Sequence, residues 1–182
     1  MKNLLKLIIA IAFVFNFQNL HSQNCATENK PAVNGTMGKK TDNAVFIGQS
    51  FKACKTGKLT MASFRIGGGN EVTNVELRIF EDKKIAQKPL HKQNITLPSP
   101  ATPISNFEDV NITIENGGFQ VEEGKTYTVG FFKSKSDSKK LLRFKSDNTN
   151  SFENGSLVAN SKVPGGKRQN KDVDMIFSFT IE

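Results

Sequence analysis

The chain has 182 residues, 25 of them Lys or Arg and 17 Asp or Glu, for a formal net charge of +8 at pH 7. That length suits one domain with a sizeable core, and no internal repeat or low-complexity tract divides it. The absence of Trp and the single Tyr argue against a flat aromatic platform for crystalline polysaccharide, and two Cys without a C-x-x-C, with His91 the one histidine beyond residue 22, are too few ligands for a zinc site.

The first predicted element is a leader. Met1-Lys2-Asn3 opens with a positive charge, Leu7 to Phe15 is an unbroken apolar run, and Asn16 to Ser22 is polar and ends in a small residue. This is the three-part pattern of a secretory signal peptide, and the apolar run is well short of the roughly 20 residues that span a bilayer. Residues 1–22 are therefore expected to be removed, with Gln23 as the alternative last residue of the leader. Lipid attachment at Cys25 has a poor lead-in. Removal of 22 residues from 182 leaves 160, and with Lys2 and Lys6 gone 23 basic residues face 17 acidic ones, a net +6. The expected location is outside the cytoplasm, periplasmic or extracellular. Both cysteines, Cys25 and Cys54, remain, and an even count in an exported chain reads as a disulfide.

Residues 23–42 read as a polar, extended lead-in held by Cys25, and 43–182 as the folded domain. From Val45 on the pattern has period two. Val45, Ile47, Gln49 and Phe51 alternate with Phe46, Gly48 and Ser50. Thr60, Ala62, Phe64 and Ile66 share the next face, followed by Val75, Leu77 and Ile79, then Ile112 and Ile114, then Tyr127, Val129 and Phe131, then Leu142 and Phe144. Met175, Phe177, Phe179 and Ile181 close the chain, which leaves no tail expected to carry a sorting module or anchor. Such alternation means strands with one buried face. Turn residues punctuate it at Gly57, Gly67 to Asn70, Gly117-Gly118, Gly124 and Gly165-Gly166. No stretch shows a capped amphipathic helix, so the expected fold is an all-β, jelly-roll-like antiparallel β-sandwich. Pro98 to Pro103 cannot be a central strand, because proline donates no ladder hydrogen bond, and reads as a connection at one end. In "GQSFKACKTGKLTMASFRI" (Gly48 to Ile66) the cysteine sits at a turn between two strands. There it can reach the lead-in, so the corner reads as a staple.

Several segments together resemble a secreted bacterial jelly-roll module of the carbohydrate-binding kind. The matching pieces are "GQSF-x-A" at Gly48 to Ala53, "G-x-L-T" at Gly57 to Thr60, "S-F-x-I" at Ser63 to Ile66, and the strand Val75 to Phe80. Val121, Gly124, Tyr127 and Val129 follow, then Asp174 with its alternating strand to Phe179. The resemblance covers most of residues 43–181 and implies a binding role beside carbohydrate-active or adhesive domains. This chain is expected to carry the module alone.

Chemical signatures are few. "GQSFK" lacks the second glycine of a nucleophile elbow, and a triad would have to use His91, in the ordinary context "PLHKQN". Glu122 and Glu123 precede Gly124 in a turn and read as solvated charge. Asp172 and Asp174 flank Val173 at a strand start and point to one side, which leaves room for a structural calcium ion, as does the oxygen-rich loop Asp147 to Asn154. No cofactor is otherwise expected. "GGGN" lacks the Lys-Ser/Thr and helix of a phosphate loop. Lys133, Lys135, Lys139, Lys140, Arg143 and Lys145 form a basic run suited to phosphate or an acidic polysaccharide, or to guarding a sheet edge. Export argues against nucleic acid. The expectation is a non-catalytic module that binds a glycan or other cell-surface polymer through Lys135, Lys139, Lys140, Asp147, Asn150 and Asn154. The alternative is an adhesive or structural envelope protein acting by protein contacts. Neither membrane span nor oligomeric state is implied.

Overall fold

The computed structural model describes residues 28–30, 38–40, 45–67, 69–97, 107–137, 139–149, 151–160, 169–170 and 173–182. Among them every regular element is a strand: β1 (Glu28–Asn29), β2 (Gly38–Lys40), β3 (Phe46–Lys52), β4 (Gly57–Gly67), β5 (Asn74–Glu81), β6 (His91–Thr96), β7 (Phe107–Thr113), β8 (Phe119–Val121), β9 (Thr126–Phe132), β10 (Arg143–Asp147), β11 (Gly155–Ala159), β12 (Gln169–Asn170), β13 (Asp174–Met175) and β14 (Phe177–Ile181). The expected leader, Cys25, the proline-rich connection at 98–103, Asn150 and Asp172 lie outside the described residues.

The strands form two antiparallel sheets packed as a sandwich. One has six strands in the order β12-β11-β3-β9-β5-β6. The other is built on the long strand β4, with β7 and β8 along one side and β14 and β10 along the other. Chain order explains the two layers. β3 lies in the six-stranded sheet and β4 in the other; β5 and β6 return, β7 and β8 cross again, and the pattern continues to β14. Each crossing lets the apolar side of one strand meet the apolar side of a strand in the facing sheet.

The inward faces carry the predicted alternation. Ile47 and Phe51 of β3, Leu77 and Ile79 of β5, and Val129 and Phe131 of β9 face Phe64 and Ile66 of β4, Phe144 of β10, and Phe177 and Phe179 of β14, and all are essentially inaccessible. Phe rings close the gap between sheets. Phe64 and Phe131 have centroids 4.9 Å apart, and Phe51 and Phe179 4.7 Å. Such pairs contribute about 0.5–1.5 kcal/mol each beyond their area burial.

Two features depart from the sequence reading. Thr60 does not share the inward face with Ala62. The β14 register steps from Thr180↔Met61 to Ile181↔Leu59, so β4 carries one extra residue there. This bulge puts both Leu59 and Ala62 inward and leaves Thr60 part-exposed. Phe46, Phe80 and Val158 stand on the outward face of the six-stranded sheet, yet all are buried, and Phe46 meets Phe80 edge to face at 5.3 Å. Within the expected lead-in, two short stretches join the second sheet: β1 pairs with β14 and β2 with β10. Cys54 sits at the turn between β3 and β4, as expected, and is not a free thiol.

Candidate functional site

The outward faces of β5, β6 and β9 make a cleft of about 460 Å³, lined in part by Asn74, Glu76, Asn94, Thr96, Phe132 and Ser134. Strand register dictates this set. Phe132 pairs with Glu76, and Glu76 with Asn94, so the three stand in one row across three strands. Asn74 and Thr96 form the next row, where the Thr96 hydroxyl donates to Asn74 Oδ1 at 3.3 Å. On the other side of the first row stands Arg78. Its guanidinium carbon lies 3.3 Å from the centroid of the Phe132 ring, and its Nε donates to Glu76 Oε2 at 2.7 Å. Glu76 is the one carboxylate of the lining, and it is spent on Arg78. The cleft thus offers amides, hydroxyls and an aromatic ring beside the edge strand β6.

Ser134 brings the basic loop between β9 and β10 to the rim. The Ser134 hydroxyl donates to Asp137 Oδ2 at 2.6 Å and accepts the Asp137 amide at 3.2 Å, while the Lys140 amide donates to the Asp137 carbonyl at 2.9 Å. Lys133 is not a rim charge. Its side chain is 1% exposed, and its ammonium donates to the Lys140 carbonyl at 2.7 Å, closing the loop from within. Lys140 is exposed but paired with Asp137 at 2.7 Å, and the bond from Lys140, with that from Ser134, holds the Asp137 carboxyl below its ordinary range. Lys135 and Lys139 point into solvent.

Of the six residues expected to bind, Asn150 lies outside the described residues, and the other five stand at the two ends of β10. The loop bearing Lys135, Lys139 and Lys140 leads into β10, whereas Asp147 is the last residue of β10 and Asn154 lies in the loop that follows, so one strand length of roughly 13 Å separates the two groups. Asp147 is buried, and its carboxylate accepts the Thr149 amide at 2.9 Å, the Thr149 hydroxyl at 2.7 Å and the Ser151 hydroxyl. Burial pushes that carboxyl up, but the bonds from Ser151 and Thr149 outweigh it and hold it below the ordinary value. Its acceptors are used inside the protein. Asn154 is exposed, and its carbonyl accepts the Lys52 amide at 2.9 Å.

Asp174, considered above for calcium, turns inward. Oδ1 accepts Gln49 Nε2 at 2.8 Å, Oδ2 accepts the Phe152 amide at 3.3 Å, and Gln49 Oε1 accepts the Met175 amide at 2.8 Å. Burial pushes the Asp174 carboxyl up to about 6, against the hydrogen bonds from Gln49 and Phe152. Among the described residues no group of three or more His, Cys, Asp and Glu is placed to hold a metal ion. His91 is half-buried, with Nε2 2.9 Å from Gln93 Oε1 and its ring 6.3 Å from Phe119. Glu122 pairs with Lys125 at 2.8 Å in the turn before β9. Asn70 of "GGGN" is buried and ties its own turn, donating to the Gly67 carbonyl at 2.6 Å and accepting the Arg143 amide at 2.7 Å.

Sequence reasoning missed Glu76, Arg78, Asn94 and Phe132. Their only signal is their position as outward residues of strands that register places side by side. No helix among the described residues is long and apolar enough to cross a membrane. Searches of family models, curated proteins and solved structures find no match to the chain.

Proposed function

We propose that this β-sandwich is an exported, non-catalytic binding module of the jelly-roll kind, and that its ligand is a glycan held in the β5–β6–β9 cleft. The observation that carries the reading is the row Phe132, Glu76 and Asn94, with Asn74 and Thr96 beside it. Amides and hydroxyls supply paired donors and acceptors for sugar hydroxyls, and the Phe132 ring adds an apolar surface to the lining. The lone carboxylate of the lining is tied to Arg78, so the lining lacks the pair of carboxylates that glycoside cleavage needs. Lys135 and Lys139, beyond Ser134, add positive charge to the rim and favour an acidic glycan. The same reading takes residues 1–22 as the export signal and Cys25 as the partner of Cys54, which ties the lead-in to the β3–β4 corner.

A broad glycan array probed with residues 23–182 tests this. Binding is expected, and Asn94→Ala should weaken it by about tenfold, the worth of one or two hydrogen bonds, with the melting temperature unchanged. Absence of any glycan ligand at low salt would overturn the reading in favour of an adhesive protein acting by protein contacts.

A further inference from the structure

A second cation stands beside the cleft, on its edge strand. The row next to Phe132, Glu76 and Asn94 holds Gly130 of β9, Arg78 of β5 and Lys92 of β6. Partners in antiparallel strands stand side by side on one face, so Lys92 and Arg78 share the outward face that carries the cleft. Lys92 is exposed and lies two residues along β6 from Asn94, about 7 Å by strand geometry. Like charges directly opposite in a sheet are destabilising, and Glu76 is bonded to only one of these two.

Arg78 is engaged within the protein. Its Nε donates to Glu76 Oε2 at 2.7 Å, its Nη2 pairs with the same oxygen, and its guanidinium carbon lies 3.3 Å from the centroid of the Phe132 ring. The ring quadrupole and the carboxylate together hold it as part of the wall, so it is not left to meet a ligand. Lys92 has no ion-pair partner among the described residues. The loop lysines do not take its place. Lys135 and Lys139 follow Ser134, which lines the cleft beyond Phe132, whereas the row of Lys92 lies on the other side of Phe132. The cleft therefore has a free ammonium at the Asn94 side, next to a guanidinium that is already matched.

We propose that Lys92 is the specificity-determining residue of the cleft, and that it selects sugars carrying a carboxylate, with the ammonium paired to a uronic acid unit whose hydroxyls bind Asn94. This inference rests on the reading of the cleft as a glycan site and names the class of glycan. A hydrogen bond from an ammonium to a carboxylate is roughly twice as strong as one between neutral groups, so this contact outweighs any single amide or hydroxyl of the lining. A neutral sugar leaves Lys92 in water and forgoes that bond, but keeps the others. A sulfated sugar suits the site less, because Arg78, the guanidinium that would match a tetrahedral oxyanion, is bonded to Glu76.

The test compares polygalacturonate and alginate with their methyl esters, which keep the sugars and remove the charge. Binding is measured on the full mature chain at about 150 mM salt, where attraction by distant surface charges is largely screened. At least one acid should bind about tenfold more tightly than its ester, the worth of one hydrogen bond to a charged group. Lys92→Gln should abolish that preference while leaving ester binding and the melting temperature unchanged, and Lys92→Arg should keep most of it. Asn94→Ala should weaken acid and ester alike. Equal binding of acid and ester would overturn the proposal and leave the cleft reading standing. So would a preference that survives Lys92→Gln and disappears only with Lys135→Gln and Lys139→Gln, or dextran sulfate binding that depends on Lys92 as strongly as uronate binding does. Binding of other glycans on the array but of none of these four polymers would likewise overturn it alone, whereas the absence of any glycan ligand would overturn both readings.

Discussion

Asp174 makes stability depend on pH in a window that few other groups share. Its carboxyl is inaccessible, accepts from Gln49 and from the Phe152 amide, and faces two charged neighbours: Asp147 across the β10–β13 pair, which raises its pKa, and Lys83, which lowers it. Folding shifts the group from an ordinary 3.8 to about 6. Because the folded value is the higher one, its contribution to stability is fully present below pH 3.8 and is lost as pH rises through 6. A shift of this size corresponds to about 3 kcal/mol in full, of which about 2.4 kcal/mol falls between pH 4 and pH 7.5. Asp147 has the opposite sign, lowered rather than raised, and its effect falls below pH 3.8, outside this window. Asn at 174 keeps an acceptor for Gln49 but turns a donor toward the Phe152 amide, losing a 3.3 Å hydrogen bond worth about 1 kcal/mol. Asp174→Asn should therefore be slightly less stable than the parent at pH 4 and clearly more stable at pH 7.5. Urea unfolding of both proteins at pH 4, 5, 6 and 7.5 measures the difference directly. If the two stability curves run parallel across this range, within about 0.5 kcal/mol, the burial argument for Asp174 is wrong.

Three other outcomes are expected. On the proposed Cys25–Cys54 bond, Cys54→Ser should lower stability by about 2–4 kcal/mol, and mass spectrometry of the protein recovered from outside the cytoplasm should find no free thiol. Lys133→Met should leave the Lys140 carbonyl without its donor and cost about 1–3 kcal/mol, with hydrogen exchange accelerating in residues 133–140 and not in β3. The combined change Lys135→Ala, Lys139→Ala and Lys140→Ala should weaken binding of an acidic glycan in a salt-dependent way, since exposed charges are screened over about 8–10 Å, while the melting temperature stays nearly constant.

Residues whose fate is set by strand periodicity were legible without a structure. Ile47, Phe64, Leu77, Val129 and Phe177 could be placed in a core because a strand alternates its faces and only one face of each strand in a two-layer protein is wholly apolar. The turns at Gly57 and Gly124 were legible for the same local reason. What no local pattern contains is which strands become neighbours. Thr60 was misplaced because a bulge shows only in the register with β14. Phe46 and Phe80 occupy outward positions whose burial comes from tertiary packing. Lys133 and Lys135 are two residues apart and read alike, yet one closes its loop from inside and the other meets water.

The sequence by itself determined a two-faced strand pattern, the turns between strands and the cysteine at the first corner. Each of these follows from a residue and its near neighbours. The tertiary structure alone decided that Phe132, Glu76 and Asn94 form one row and that Asp147 and Asp174 are enclosed as a pair. Those positions lie far apart in the chain, and only the register of antiparallel strands brings them within reach of one another.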